Sequence, residues 1–280
     1  RTTLVVPCLS GHVVFMDPWN QRVLSTLEML AGPELSGVTE VPNQFTSLCI
    51  APSGMFAYLG EGNEGGQMFF VDMASQAFGT APRLLGDDPE VLAMTADGTT
   101  IYALDNGSIR VLTAPFLSGA SLIFQPAGTD DISFFALSRR EDRAVMVGED
   151  DSIFLMDVTS SWALLDEVHV GGNRLAEVQT VALSPNGTQA IVTNVTDQSL
   201  TFLAITSTAL TVVDTIPIGG GPTGVAFTDD GQRAVVSLWS TNQAKIIDIS
   251  TRTVAATLDG IVRAPTGVLV AEILPSRTRH

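Results

Sequence analysis

The chain is short of lysine, histidine and basic charge, and these shortages exclude several classes of function. Lys245 is the only lysine among 280 residues, and 14 Lys and Arg stand against 30 Asp and Glu, for a formal net charge of -16. Such a charge repels nucleic acid and anionic membrane surfaces, and it favours cations or basic partners. No stretch approaches the ~18 uninterrupted apolar residues that a membrane helix needs, so no membrane insertion is expected.

The motifs of familiar catalytic mechanisms are missing too. His12, His169 and His280 do not form a metal-binding pattern, and the sequence has no Gly-x-Ser-x-Gly elbow, Walker loop or His-Glu-x-x-His helix. Scarce histidine leaves carboxylates as the main candidates for acid-base chemistry. The two cysteines, Cys8 and Cys49, fit either one bridge or two buried thiols, because the sequence does not give their separation.

What the chain has in abundance is one repeated unit, which runs from Phe45 to Ile273. Each copy is an apolar run, a Pro/Asp/Asn-Gly turn and two further alternating apolar runs. The first strands of the copies begin near Thr46, Val91, Phe134, Thr180, Gly224 and Gly267. Strand-only repeats of this length predict radial blades of four antiparallel strands joined by hairpins.

The two ends of the chain complete this prediction. Residues 2–28 supply three strands with no inner strand ahead of them, and residues 266–273 supply an inner strand with nothing after it. Pairing the C-terminal strand with the N-terminal blade would remove the open edge of a linear array. We therefore expect an all-β fold, a six-bladed β-propeller closed in this way, and a single domain over residues 1–280.

Several stretches resemble a known family. Ile191-Val-Thr-Asn194 is followed by Gly221-Pro-Thr-Gly224, and Ala264-Pro-Thr-Gly267 repeats the second of these. They resemble the Tyr-Val-Thr-Asn (YVTN) repeat family of β-propellers, which includes surface proteins, redox-associated subunits and sugar-lactone hydrolases. The resemblance implies the propeller fold and leaves the chemistry open, because the shared motifs belong to the scaffold.

Some acidic residues are explained by local structure alone. Asp17, Asp72, Asp157 and Asp248 each end a third strand and precede a turn. A short carboxylate in this position accepts hydrogen bonds from backbone N–H groups about two residues further on and so stabilises the turn. We predict that these four aspartates are structural.

The remaining acids concentrate on one predicted face. Strands of a blade alternate in direction, so loops between second and third strands share a rim with the loops that enter the next inner strand. More than half of the 30 acids fall in these loops, whereas five arginines fall in turns on the opposite side: Arg139, Arg140, Arg143, Arg233 and Arg252. We predict an acidic funnel at the mouth of a central channel, which would attract a cation.

Glu90, Asp131 and Glu177 are the candidate catalytic or metal-binding residues at this mouth. The aligned positions there read Thr46, Glu90, Ser133, Gln179, Thr223 and Thr266. Oxygen ligands from several blades would suit Ca²⁺, and the pattern resembles metal-dependent six-bladed hydrolases, although the asparagines usual in those sites are absent here. The alternative is a solvated acidic rim that maintains solubility.

Six rim residues are candidates for ligand binding: Glu61, Asp105, Glu149, Gln179, Asn194 and Trp239. An aromatic ring beside carboxylates suits an organic ammonium group through a cation-π contact, and it suits a protein partner equally well. Trp239 is the only tryptophan predicted on this rim.

Three classes of function stay open. A binding module for a small cation or a protein partner accounts for the missing catalytic motifs and is the main hypothesis. An enzyme at the channel mouth, a lactonase-like hydrolase or a lyase, is the alternative, and a docking subunit of a redox complex is the third. We expect a monomer. Because lysine is scarce and Ser and Thr are abundant, we also expect an extracytoplasmic location, periplasmic or secreted.

Overall fold

The regular secondary structure in the described part of the chain is almost entirely β-strand. The computed structural model describes residues 4–7, 12–17, 22–28, 45–61, 66–79, 83–84, 89–115, 117–124, 132–148, 151–170 and 178–259. Within these ranges the only helical segment is a 3₁₀ turn at Val158–Ser160. No helix in the described part is long and apolar enough to cross a membrane.

The chain divides into two compact units, Arg1–Ile132 and Ser133–His280. The first unit begins with a sheet of three antiparallel strands: β1 (Leu4–Pro7), β2 (His12–Asp17) and β3 (Arg22–Glu28). Blade 1 follows, and the two short pieces of its outer strand both pair with its third strand: β4 (Phe45–Ile50), β5 (Phe56–Glu61), β6 (Gln67–Asp72), β7 (Ala77–Phe78) and β8 (Arg83–Leu84). Blade 2 has four strands: β9 (Pro89–Met94), β10 (Thr100–Asp105), β11 (Ser108–Thr113) and β12 (Ser118–Phe124).

The second unit contains three blades that follow the same antiparallel plan. Blade 3 consists of β13 (Ile132–Leu137), β14 (Arg143–Gly148), β15 (Ser152–Asp157) and β16 (Ala163–His169). Blade 4 consists of β17 (Val178–Leu183), β18 (Gln189–Asn194), β19 (Ser199–Ile205) and β20 (Leu210–Pro217). Blade 5 consists of β21 (Pro222–Phe227), β22 (Arg233–Leu238), β23 (Gln243–Asp248) and β24 (Thr253–Asp259).

The prediction of six blades is wrong, because the described residues form five blades of the four-stranded plan. The N-terminal sheet has only its three strands in the described part of the chain. Residues 266–273, which were expected to complete it, lie outside the described residues. The predicted sixth blade required pairing between strands at opposite ends of the chain, and a local sequence pattern carries no information about such a pairing. The prediction of a single domain stays a prediction.

In blades 2 to 5 the outer strand is the least buried of the four strands. In β18 every residue after Gln189 is buried, whereas all seven residues of β24 are exposed. Apolar clusters cover both faces of blade 4, one shared with blade 3 and the other with blade 5. Complete burial of a side chain such as Ile191 or Val236 contributes about 1.5–3 kcal/mol.

The structural role predicted for the third-strand aspartates is confirmed for Asp72, Asp157 and Asp248. Their carboxylates accept backbone N–H bonds two or three residues on, at 2.8–3.0 Å. These bonds and those from neighbouring hydroxyl groups lower the pKa of each aspartate. The side chain of Asp17 is not among the described ones.

A second kind of turn joins the inner strand to the second strand, and we call this end of a blade the turn end. The side-chain oxygens of Asp97, Asn186 and Asp230 accept the backbone N–H two residues later, at 2.9, 3.1 and 2.9 Å. Each also accepts a bond from the hydroxyl group two residues earlier, at 2.6–2.8 Å. Because the next residue is a glycine at positive φ in all three turns, one local motif builds them.

Candidate functional site

The opposite end of each blade carries a recurring β-bulge at the start of the inner strand, and we call it the bulge end. In four blades one residue has no partner on the second strand: Thr46, Glu90, Gln179 and Thr223. These are four of the positions that the sequence aligned at the predicted channel mouth. A bulge turns the side chain of its extra residue away from the regular alternation, and bulges are frequent beside functional sites.

Three predicted ligand-binding residues share one position in this arrangement. Glu61, Asp105 and Asn194 end the second strands of their blades, and each pairs with the residue immediately before the bulge. The sequence therefore selected equivalent positions in different blades. Whether each side chain is open to a ligand depends on its own surroundings.

Glu90 is exposed, and its bulge is well supported by the neighbouring blade. The hydroxyl group of Ser47, which is 7% exposed, donates a hydrogen bond of 2.9 Å to the carbonyl oxygen of Pro89. Gly60 makes this contact feasible, since a Cβ there would lie 2.3 Å from the Ser47 Oγ and 2.4 Å from the Pro89 oxygen. The backbone next to Glu90 is thus held between blades 1 and 2, and Glu90 itself is an exposed residue.

Asp105 and Asn194 are instead engaged inside their own blades, and each is 2% exposed. The Asp105 carboxylate lies 2.5 Å from the Arg110 Nε. The side-chain oxygen of Asn194 accepts the backbone N–H of Asp197 at 2.9 Å and so closes the turn that follows β18. Both contacts support the backbone at the bulge end. A role of either residue in ligand binding stays a prediction.

Trp239 lies at the bulge end of blade 5 and is 47% exposed. Its backbone N–H donates to the Gly221 carbonyl at 3.1 Å. Its ring covers Gly221, because a Cβ on that residue would lie 2.3 Å from the Trp239 Nε1. Gly221 also has a φ of +61°, which favours glycine. About half of the indole surface therefore remains open for a cation-π or protein contact.

The other candidates lie wholly or partly outside the described residues. Asp131, Glu177 and Glu149 are outside, and the strands of Glu61 and Gln179 are described without their side chains. Among the residues that are described, no group of three or more His, Cys, Asp or Glu could hold a metal ion. The predicted Ca²⁺ site and the enzyme alternative both depend on Asp131 and Glu177, so both stay predictions. Cys49 is a free thiol, and Cys8 lies outside the described residues.

Two clefts at the turn ends of the second unit form a feature that sequence reasoning missed. One, of about 320 Å³, lies between blades 3 and 4 and includes Arg139, Arg140 and Arg143 in its walls. The other, of about 760 Å³, lies between blades 4 and 5 and includes Asp229, Asp230, Asp248 and Arg252. The sequence placed the arginines away from the acidic rim but gave no reason to group them. The presence of three arginines within five residues, 139–143, was the sequence signal that could have indicated the first cleft.

Comparison with known proteins supports the fold and does not assign a family. No family model matches the chain, and no curated protein matches it, so the YVTN resemblance stays a prediction. The chain is similar to the β-propeller domain of Cps50 (Swd1) from Myceliophteria thermophila, with a TM-score of 0.74, 10% identity, and coverage of 95% of this chain and 85% of that one.

Two further solved structures are similar over nearly the same length. Hydrazine synthase from Kuenenia stuttgartiensis has a TM-score of 0.72 at 15% identity, covering 92% of this chain and 82% of that chain. A functionally unknown protein from Desulfotomaculum acetoxidans has a TM-score of 0.73 at 16% identity, covering 95% and 84%. At such identities the likeness shows the fold alone, a β-propeller of four-stranded blades.

Proposed function

We propose that this protein is a binding β-propeller that takes a cationic ligand or a basic protein segment at the bulge ends of its blades. The exposure of the acidic residue Glu90 is the observation that carries the proposal. Glu90 is the extra residue of a bulge whose neighbouring backbone is held by Ser47 and Gly60, so the fold maintains its position.

The net charge of the chain also favours a cationic ligand. The formal net charge is -16, and exposed acids at the bulge ends of other blades include Asp197 and Asp259. An excess of negative charge raises the local concentration of cationic ligands and increases their association rate, and salt weakens both effects. In the second unit, the partly exposed Trp239 is an aromatic residue suited to contact with an ammonium or guanidinium group.

The proposal can be tested with a fluorescently labelled hexalysine peptide. Its binding to the protein is measured by anisotropy at low and at high salt, with the wild type and with Glu90→Gln. We expect binding that weakens with salt and a further loss of about 1.4- to fivefold in Glu90→Gln, because an exposed ion pair contributes about 0.2–1 kcal/mol. The association rate should fall along with the affinity.

Asp230→Asn is the matched control, since it removes one negative charge from an exposed residue at the turn end of blade 5, where Asn186 shows that an asparagine makes the same turn bonds. Binding of hexalysine by this variant should stay close to that of the wild type. An equal loss in both variants would show that only net charge matters, and the proposed site at Glu90 would be wrong. Absence of binding at low salt would contradict the proposed function as a whole.

A further inference from the structure

The cleft between the turn ends of blades 3 and 4 has a charge opposite to that of the protein. Its walls include three arginines, Arg139, Arg140 and Arg143, and a single acid, Asp142, in a chain whose formal net charge is -16. We call it the arginine cleft. Asp142 is already engaged, because its carboxylate accepts the hydroxyl group of Ser138 at 2.9 Å.

Arg143 is held firmly in one wall of this cleft. Its Nη1 donates to the carbonyl oxygen of Asp142 at 2.8 Å, and its Nη2 donates to the carbonyl oxygen of Ser207 in blade 4 at 3.0 Å. The Asp157 carboxylate is 3.6 Å from Nη1. These contacts link the two blades and keep a guanidinium group at a constant position, so the positive potential of the cleft needs no rearrangement.

Arg140 differs from the other two arginines because its charge is not used by the fold. Arg139 pairs with Asp229 of blade 5. Arg140 is exposed and makes no hydrogen bond or ion pair with any residue that the structure describes. A guanidinium group with five N–H donors therefore remains available beside a second, fixed guanidinium group.

The turn that carries these arginines also departs from the repeated motif. In blades 2, 4 and 5 a glycine follows the turn Asp or Asn and takes a positive φ, whereas in blade 3 Glu141 takes the left-handed conformation, with a φ of +58°. A non-glycine residue in this conformation costs roughly 1–2 kcal/mol. The turn that supplies the arginines therefore lacks the glycine of the repeated motif.

We propose that the arginine cleft binds a small molecule through an oxyanion group, a phosphate or a carboxylate, with Arg140 as the direct contact and Arg143 as the fixed positive charge beside it. Arginine presents paired N–H donors that match both kinds of oxyanion. A volume of about 320 Å³ corresponds to the smaller ligand sites of proteins. The neighbouring cleft, with Asp229, Asp230 and Asp248, would repel the same group.

Isothermal titration of the full chain with inorganic phosphate and, separately, with citrate tests the proposal, with sodium chloride at matched ionic strength as the blank. We expect saturable binding of at least one of the two anions. The anion with the higher affinity identifies the preferred kind of oxyanion. Arg140→Gln should weaken this binding at least about tenfold, because hydrogen bonds to charged groups are stronger than those between neutral groups. The affinity of Arg140→Lys should fall between those of the wild type and Arg140→Gln, since lysine keeps the charge and lacks the paired donors.

Arg233→Gln is the control, because it removes the same charge from the turn end of blade 5 without lining the arginine cleft. It should change the affinity less than twofold. In the unaltered protein, phosphate or citrate should shift the NMR signals of the turn at residues 138–142 and of Thr206 and Ser207. The proposal is overturned if neither anion binds more strongly than the chloride blank, or if Arg140→Gln and Arg233→Gln lose affinity equally. It is also overturned if the NMR shifts fall outside the arginine cleft.

Discussion

The turn end and the bulge end of a blade differ in what they repeat. At the turn end both the backbone and the side chains recur, as shown by Asp97, Asn186 and Asp230, whose oxygens make the same bonds in three blades. At the bulge end the backbone irregularity recurs, but the extra residue is threonine, glutamate or glutamine. Side chains whose hydrogen bonds stabilise the backbone recur from blade to blade, whereas the side chains of the extra bulge residues differ. Variation on a constant backbone is therefore the better guide to function here.

The arginine cleft is the exception that supports this comparison. It lies at a turn end, and it is found at the one described inner turn where the glycine motif is replaced, by Glu141 at a φ of +58°. In both regions the candidate site coincides with a departure from the repeat.

The largest effect is expected from filling the space that supports the bulge of Glu90. In Gly60→Val the new Cβ would lie within 2.3 Å of the Ser47 Oγ and 2.4 Å of the Pro89 oxygen. We expect the free energy of unfolding to fall by about 2–4 kcal/mol, from overpacking and the lost hydrogen bond. Urea denaturation measures this change. A variant with wild-type stability would mean that the bulge end tolerates rearrangement and is not a rigid platform.

A smaller effect is expected from exchanging the turn-end residues. Gly187→Ala should cost about 1 kcal/mol, because Gly187 has a φ of +72° with no atom within 4 Å of the added Cβ, so only backbone strain changes. Glu141→Gly should change the free energy of unfolding by less than about 0.5 kcal/mol, because relief of strain offsets the greater freedom of the unfolded chain. Equal costs for the two substitutions would show that the turns do not differ as described.

The smallest effect concerns the acid sensitivity of the repeated turns. Hydrogen bonds, first from the hydroxyl groups of Thr95 and Thr228, hold the pKa of Asp97 and Asp230 below the ordinary value of 3.8. Their contribution to stability is therefore complete above about pH 4 and is lost as the pH falls through the lowered pKa. The turn with Asn186 makes the same bonds without titrating.

We accordingly expect Asp97→Asn combined with Asp230→Asn to reduce the loss of stability between pH 5 and acid conditions. The measurement is the difference in urea midpoint between wild type and variant at each pH, which cancels the charge effects common to both proteins. A difference that does not change with pH would contradict the role assigned to the two carboxylates.

Much of the local structure could be predicted from the sequence. Alternating apolar runs and Asx-Gly turns located the strands, and the roles of Asp72, Asp157 and Asp248 were confirmed because an Asx turn depends only on residues two or three positions away. The blade count was wrong, because the predicted sixth blade rested on pairing of the two chain ends. No local pattern encodes such a pairing.

The candidate site could be predicted in part. Alignment of the repeats located Thr46, Glu90, Gln179 and Thr223, but it did not show that each is the extra residue of a bulge, since a bulge appears only in the register between two strands. Nor did it show that Asp105 and Asn194 are buried while Glu90 and Trp239 are exposed. Burial of a side chain depends on the strands and turns around it, beyond its own strand pattern.

The sequence by itself determined the strands, the turns and an excess of acidic charge, because each depends on neighbouring residues or on composition. Only the tertiary structure decided that Ser47 and Gly60 support the backbone next to Glu90, and that Arg143 of blade 3 reaches a carbonyl group of blade 4 to form the arginine cleft. The physical reason is distance along the chain. These contacts join residues 42 and 64 positions apart, and they exist only once the blades have packed.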